Sequence, residues 1–122
     1  MPDFQMVLGT GNAKKKKELQ RLLAPYPQIQ LTSLADYPDA LEVEETGSTF
    51  AENAELKATV QALHLNRWVL AEVSGISVDA LNGAPGIYSA RFSGEQATDT
   101  TNNKLLLEKL TGVPTAERTA FY

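Results

Sequence analysis

The stretch LGTGNAKKKKE, residues 8–18, predicts how the fold begins. It follows the apolar run at 6–8 and precedes three leucines with the spacing of one helical face. We therefore predict a strand around residues 4–9, then a tight glycine turn, and then a helix from about 12 to 24.

Four consecutive lysines, Lys14 to Lys17, fall in the first turns of this helix. The positive end of the helix dipole disfavours each of these charges by roughly 0.3–1 kcal/mol. A bound polyphosphate would offset the penalty, because the N–H groups at a helix start can hold phosphate and lysine adds charge. Only one or two of the lysines can reach a common anion, since each residue turns the helix by about 100°. A solvated basic surface is an equal alternative, and the turn lacks the G-x-x-x-x-G-K-[ST] pattern of a Walker A loop.

Strand and helix patterns alternate along the rest of the chain. The predicted elements are a strand at 29–34, a helix at 48–63, a strand–turn–strand unit at 67–81, a glycine-rich turn region at 82–94, a helix at 98–110 and the start of a strand after residue 117. Such alternation predicts an α/β domain with a partly parallel sheet, in which ligands bind beyond the carboxyl ends of strands.

The composition is that of one ordinary domain, with 122 residues, 43% hydrophobic residues and a formal net charge of −4. No apolar run is long enough for a transmembrane helix, and the N-terminus lacks a signal-peptide pattern. The absence of cysteine excludes disulfides and thiolate zinc sites and favours a cytoplasmic location. Positive charge is concentrated in one place on an acidic chain, so we expect a small anion site rather than a nucleic-acid interface.

Two further clusters are candidates for chemistry. Glu44 and Glu45 precede a predicted helix on which Asn53 and Lys57 share one face, so a carboxylate there could hold Mg²⁺ and the lysine could contact phosphate. Plain surface ion pairs are the more frequent origin of such patterns.

Glu72 and Ser74 form an unexpected polar pair after an apolar strand. The single histidine, His64, has no evident partner and is interpreted as a surface residue.

Taken together, these segments resemble the inosine triphosphate pyrophosphatase family. The matching motifs are TGNAKKKKEL at 10–19, EETGSTFAENAELKA at 44–58, SGISVDALNGAPGIYSARFSG at 74–94 and ATDTTNNKLLLEKL at 97–110. The resemblance implies an elongated mixed sheet flanked by helices, usually in a homodimer. It also implies Mg²⁺-dependent hydrolysis of ITP, dITP and XTP to the monophosphate and pyrophosphate, with no nucleic-acid or membrane partner.

The resemblance also implies roles for individual residues. Glu45 is expected to bind the metal, with Glu44 as the second candidate, and Lys57 is expected to contact phosphate during catalysis. Ser74 and Asn53 are expected to contact the substrate. The expected triphosphate-binding turn consists of Thr10, Gly11, Asn12, Ala13, Lys14 and Lys15.

The sequence departs from the family pattern in two ways. Members carry an acidic pair before Ser-Gly whose second residue is the proposed general base, and here that position is Val73. Losing such a base commonly costs a factor of roughly 10²–10⁴. Glu72 is a possible substitute as a metal ligand, but on a strand it would face the opposite side. Members also continue well past this length, so we expect this chain to lack the C-terminal half.

Three functions remain open on the sequence alone: an active pyrophosphatase, a nucleotide-binding relative without catalysis, and an interaction fragment. Truncation, decay and fragmentation are equally compatible with the shorter length. Base preference cannot be read from the residues present. Arg91, in YSARFSG, could contribute to the site or could be an ordinary ion-paired surface arginine.

Overall fold

The computed structural model describes residues 4–122. The chain divides into two compact units, one extending to Glu72 and the other comprising Val73–Tyr122. The elements are β1 (Phe4–Leu8), α1 (Ala13–Leu22), β2 (Ile29–Ser33), α2 (Phe50–Leu65), β3 (Val69–Leu70), β4 (Ser77–Val78), α3 (Asp99–Lys109) and β5 (Ala120–Phe121). None of the helices within residues 4–122 combines the length and apolarity needed to cross a bilayer.

The first unit is built on a three-stranded parallel sheet in the order β2–β1–β3. Leu8 at the end of β1 aligns with Ser33 at the end of β2 and with Leu70 at the end of β3. Because the strands are parallel, the three segments that follow them emerge at one edge of the sheet. The central strand carries the buried core residues Val7 and Leu8. This edge is where α/β proteins place their ligands.

Local signals in the sequence set the helix boundaries of this unit. Asn12 accepts hydrogen bonds at the start of α1, and Thr49 accepts one from the Glu52 N–H at the start of α2. Thr49 and Glu52 fit the capping-box pattern in the sequence, but the box is incomplete because the Glu52 carboxylate accepts from the N–H of Ser48 instead of that of Thr49. Asn66 ends α2 in the left-handed region, which asparagine tolerates better than most residues.

The 3₁₀ turn Leu34–Asp36 follows β2 and ends on a carboxylate with two hydrogen-bond partners. Asp36 accepts from the N–H of Ser33 at 2.9 Å and from Lys16 Nζ at 3.2 Å. The Ser33 bond, and then the Lys16 ammonium, hold the pKa of Asp36 below its ordinary value. The ionised form is therefore favoured by folding.

We expect Asp36→Asn to lower the stability of the chain at neutral pH and to lose its effect in acid. The contribution of a depressed carboxyl pKa is present above the unfolded value, near 4, and disappears as pH falls through the folded value. Urea unfolding of both proteins from pH 7 to pH 2.5 measures the difference. A difference that stays constant down to pH 2.5 would contradict this account.

The second unit contains α3 and the antiparallel pair β4–β5, in which Val78 aligns with Ala120. Asn102 on α3 holds the turn region before it, donating to the carbonyls of Ser89 and Ala90 and accepting from the Ser93 N–H. The sequence predicts that Leu105, Leu106, Leu107 and Leu110 form the apolar side of this helix. Leu110 is buried and Leu105 and Leu106 are half-buried, but Leu107 is 62% exposed, so its assignment to the apolar side was wrong.

The predicted α/β class is confirmed, and every predicted helix and strand has a counterpart within two or three residues of its expected position. Parallel and antiparallel pairing both occur, in two separate sheets. The strand–turn–strand unit at 67–81 is therefore divided, since β3 joins the first sheet and β4 the second.

Candidate functional site

The turn after β1 is held by short-range hydrogen bonds. Thr10 Oγ1 accepts from the N–H of Asn12 at 3.2 Å, and the Thr10 carbonyl accepts from the N–H of Leu34 at 3.1 Å. Asn12 Oδ1 accepts from the N–H groups of Lys14 and Lys15 at 2.9 and 3.4 Å. Two of the donors expected to cradle phosphate are thus occupied by a side chain of the protein itself.

Two of the four consecutive lysines form ion pairs with carboxylates of the chain. Lys15 Nζ lies 2.5 Å from Glu72 Oε1, and Lys16 Nζ lies 3.2 Å from Asp36 Oδ2. Lys14 and Lys17 are exposed. The penalty at the start of α1 is therefore offset by acidic residues that follow β2 and β3, whereas the other two lysines are solvated.

Lys57 connects the acidic loop to the end of β3. Its Nζ lies 3.5 Å from Glu45 Oε1 and donates to the carbonyl of Glu72 at 3.2 Å. Both side chains are mostly buried, with 20% of Lys57 and 28% of Glu45 exposed. An ion pair at this depth is screened less than a surface pair and places both charges in a fixed position.

A cavity of about 480 Å³ opens at the carboxyl edge of the parallel sheet, within the size range of small-molecule sites. The residues lining it are Gly9, Thr10, Gly11, Leu34, Ala35, Tyr37, Ala40, Leu41, Glu42, Val43, Glu45, Lys57 and Gln61. Four of the predicted site residues therefore share this cavity, namely Thr10, Gly11, Glu45 and Lys57. Glu44 is exposed on the same loop and is not part of the lining.

The loop that forms one wall of the cavity lies along α2, and we call residues 39–47 the strap. Four contacts join it to the helix, and their order runs antiparallel to α2. The pairs are Gly47 with Asn53, Glu45 with Lys57, Leu41 with Gln61, and Asp39 with His64. His64 is exposed, as predicted, but Asp39 is a partner that the sequence did not reveal, because His64 Nε2 lies 2.6 Å from the Asp39 carbonyl oxygen.

Asn53 does not reach the cavity. It is 0% exposed, and its Oδ1 accepts from the N–H of Gly47 at 2.7 Å. Among the residues that the structure describes, its Nδ2 has no hydrogen-bond partner. Asn53 therefore supports the strap in this conformation, and its contact with substrate stays a prediction.

We expect Gly47→Ala to destabilise the chain by about 1–3 kcal/mol, because the strap approaches α2 most closely there. An added Cβ would lie 2.7 Å from Asn53 Oδ1 and 2.7 Å from Glu52 Cβ. Gly11→Ala is the matched control, since a Cβ at Gly11 meets nothing within 4 Å. Chemical denaturation of the two variants gives the comparison, and equal stability would contradict the close approach.

The carboxylates offer a restricted site for a metal ion. Within residues 4–122, no three Asp, Glu or His side chains are grouped to hold one. Mg²⁺ often takes only one or two protein carboxylates and completes its shell with substrate phosphates and water. Glu45 fits that role, because its half-buried carboxylate faces the cavity. Glu72 fits it less well, since Lys15 already engages its carboxylate.

Ala13 is the exposed first residue of α1, and the other remaining predicted residues lie in the second unit. Val73 and Ser74 are half-buried in the stretch without regular structure that precedes β4. Val73 offers neither a proton acceptor nor a metal ligand. The Arg91 guanidinium lies 5.0 Å from the centre of the Tyr88 ring, a cation–π contact that the sequence did not suggest.

Gln61 was missed by the sequence analysis, although it lines the cavity and is buried. The available signal was the four-residue spacing of Asn53, Lys57 and Gln61, which places three polar residues on one helical face. The sequence also predicts that Ala51, Ala54, Ala58 and Ala62 form a small-residue stripe for close packing, but Ala51 is exposed.

Comparisons with known proteins give a consistent result. Residues 6–122 match the model of the Ham1 family. The chain is 56% identical over 117 residues to the dITP/XTP pyrophosphatase of Rhodopirellula baltica, covering 96% of this chain and 56% of that protein. It is 49% identical over 116 residues to the dITP/XTP pyrophosphatase of Listeria innocua, covering 95% of this chain and 57% of that protein.

Solved structures show the same likeness. A Ham1 protein from Coxiella burnetii aligns with a TM-score of 0.84 at 37% identity, over 96% of this chain and 58% of that one. The Staphylococcus aureus Ham1 protein aligns with a TM-score of 0.78 at 40% identity, over 95% of this chain and 58% of that one. This chain thus spans a little over half the length of the relatives it matches, and the predicted family resemblance is confirmed.

Proposed function

Because this chain belongs to the Ham1 family, we propose that it hydrolyses non-canonical purine nucleoside triphosphates such as dITP, ITP and XTP. The products are the monophosphate and pyrophosphate. The names of the relatives support this substrate class, since they are dITP/XTP pyrophosphatases. The observation that carries the proposal is the Lys57–Glu45 pair, which lines a cavity at the carboxyl edge of a parallel sheet beside Thr10 and Gly11.

Each of these residues has a role that suits a polyphosphate. The Lys57 ammonium supplies positive charge to phosphate oxygens and can stabilise the charge that develops during transfer. Gly11 leaves open space for a close approach, because a side chain there would extend into it. Glu45 would hold Mg²⁺, which supplies Lewis-acid polarisation of phosphate when bound. Lys15 is a second phosphate contact once it exchanges Glu72 for the substrate.

Binding without hydrolysis is the second candidate, and Val73 favours it. The residue that would take a proton from water is a hydrocarbon here. Glu72 is next to it, but its carboxylate is engaged by Lys15 at 2.5 Å. A chain of this kind would bind the triphosphate through Lys57 and would turn over slowly or not at all.

Pyrophosphate release from ITP and XTP, compared with ATP and GTP and measured with and without Mg²⁺, tests both candidates. Release that needs Mg²⁺ and favours ITP or XTP supports hydrolysis. A folded chain that binds ITP without releasing pyrophosphate supports the second candidate. A folded chain that binds no ITP contradicts both.

We further propose that the chain forms a homodimer and that it is located in the cytoplasm. Sedimentation would test the first proposal and cell fractionation the second.

A further inference from the structure

Gln61 is an unusual residue for its position. It is 1% exposed, and buried helix positions are normally apolar. It lies one turn after Lys57 on the face that the strap covers. Burying an amide is costly unless its polar atoms find partners. Its partners therefore indicate why it is there.

Both polar atoms of Gln61 bind the same strap residue. Gln61 Oε1 accepts from the N–H of Leu41 at 3.0 Å, and Gln61 Nε2 donates to the carbonyl of Leu41. A single amide thus fixes both backbone groups of one residue, which sets the orientation of the strap as well as its distance from α2. Leu41 and Gln61 also line the cavity together.

The two hydrogen bonds between Gln61 and Leu41 lie close to the ion pair of Glu45 and Lys57. Glu45 is four residues along the strap from Leu41, and its carboxylate faces Lys57. On the far side of Glu45, Asn53 Oδ1 accepts one hydrogen bond from the N–H of Gly47, and within residues 4–122 Asn53 Nδ2 has no hydrogen-bond partner. Gln61 instead attaches the strap to α2 through two hydrogen bonds to a single residue.

We propose that Gln61 is a positioning residue for the phosphate site, which holds the strap so that the Glu45 carboxylate faces Lys57 and the cavity. The role rests on the proposed function, because it concerns how well the site binds a nucleoside triphosphate. Gln61 acts through Glu45 and Lys57 and does not contact the reacting phosphate. Residues that orient a ligating carboxylate typically contribute a factor of about 10–100 to binding or activity.

The test replaces Gln61 with methionine, which has a similar volume but forms neither hydrogen bond to Leu41. Gln20→Met on the exposed face of α1 is the matched control. The ¹⁵N signal of the Lys57 ammonium reports its pairing, and Glu45→Gln provides the reference for a lysine that has lost this partner. Binding of ITP with Mg²⁺ is measured by calorimetry on the same proteins.

We expect Gln61→Met to move the Lys57 signal towards that of Glu45→Gln and to weaken ITP binding about tenfold, while Gln20→Met changes neither. An unmoved Lys57 signal overturns the proposal, and so does a moved signal with unchanged ITP affinity. If Gln61→Met does not fold, Gln61→Asn takes its place, because its side chain is shorter by one methylene and withdraws the amide from Leu41. The same change in the Lys57 signal and the same loss of ITP affinity are expected. A wild-type chain that binds no ITP contradicts the proposed function itself, so the two failures are distinguishable.

Discussion

Val73→Asp is expected to increase ITP hydrolysis by this chain by a factor of roughly 10²–10⁴, the usual contribution of a positioned general base. The substitution puts a carboxylate where the resembled family carries one. The preceding peptide is already fixed to the site, because Lys57 Nζ donates to the Glu72 carbonyl at 3.2 Å.

The neighbouring carboxylate cannot easily supply this function. Glu72 Oε1 lies 2.5 Å from Lys15 Nζ, so a proton acceptor there would first have to leave its ammonium partner. Val73→Asn is the control for the proposed gain, because asparagine has the shape of aspartate but is not a base at neutral pH. The rate of pyrophosphate release from ITP with Mg²⁺ is the measurement. A folded Val73→Asp protein that binds ITP but is no faster than Val73→Asn would falsify the idea of a single missing base.

Lys57→Met is expected to weaken ITP binding by about 10–100-fold, which corresponds to roughly one hydrogen bond to a charged group. The methionine keeps the aliphatic part of the side chain but removes the ammonium. Lys57 is the cavity's charged donor, and its Nζ also holds the Glu45 carboxylate at 3.5 Å. Without it, Glu45 would remain as a negative charge facing a polyanion.

The control for this loss is Lys104→Met on the exposed surface of α3, which removes the same charge elsewhere. Titration calorimetry with ITP and Mg²⁺ gives both affinities, and thermal unfolding shows whether each variant is folded. Lys57→Arg keeps the charge and is expected to lie between wild type and Lys57→Met. Equal affinities of Lys57→Met and Lys104→Met would mean that only the overall charge matters, and that Lys57 is not part of the site.

Those parts of the fold that depend on local sequence could be predicted well. The leucine spacing predicted both ends of α1 to within two residues, and the predicted starts of α2 and α3, at residues 48 and 98, lie within two residues of the observed starts. These signals act within one or two helical turns, so they survive in almost any tertiary context. The exposure of Leu107 escaped prediction because it depends on what packs against α3.

The candidate site combines features that are visible in the sequence with features that are not. Lys57 and Glu45 belong to a recognisable motif, and the structure pairs them. The partners of the lysine run could not be read, because Lys15 and Glu72 are 57 residues apart and meet only when β3 joins the sheet beside β1. The pairing of Gln61 with Leu41 could not be predicted either. Gln61 binds the backbone N–H and carbonyl of Leu41, and every residue type except proline carries both groups.

The pairing of Lys15 with Glu72 also affects how binding should respond to salt. Salt screens the attraction between an exposed lysine and a phosphate, so added salt opposes binding. Lys15 instead carries a counterion that belongs to the protein. A phosphate that takes Lys15 exchanges one anion for another, and the displaced carboxylate stays tethered a few ångströms away. Affinity for triphosphate should therefore vary with ionic strength less than four adjacent lysines would suggest, and the tethered carboxylate remains ready to help expel the product.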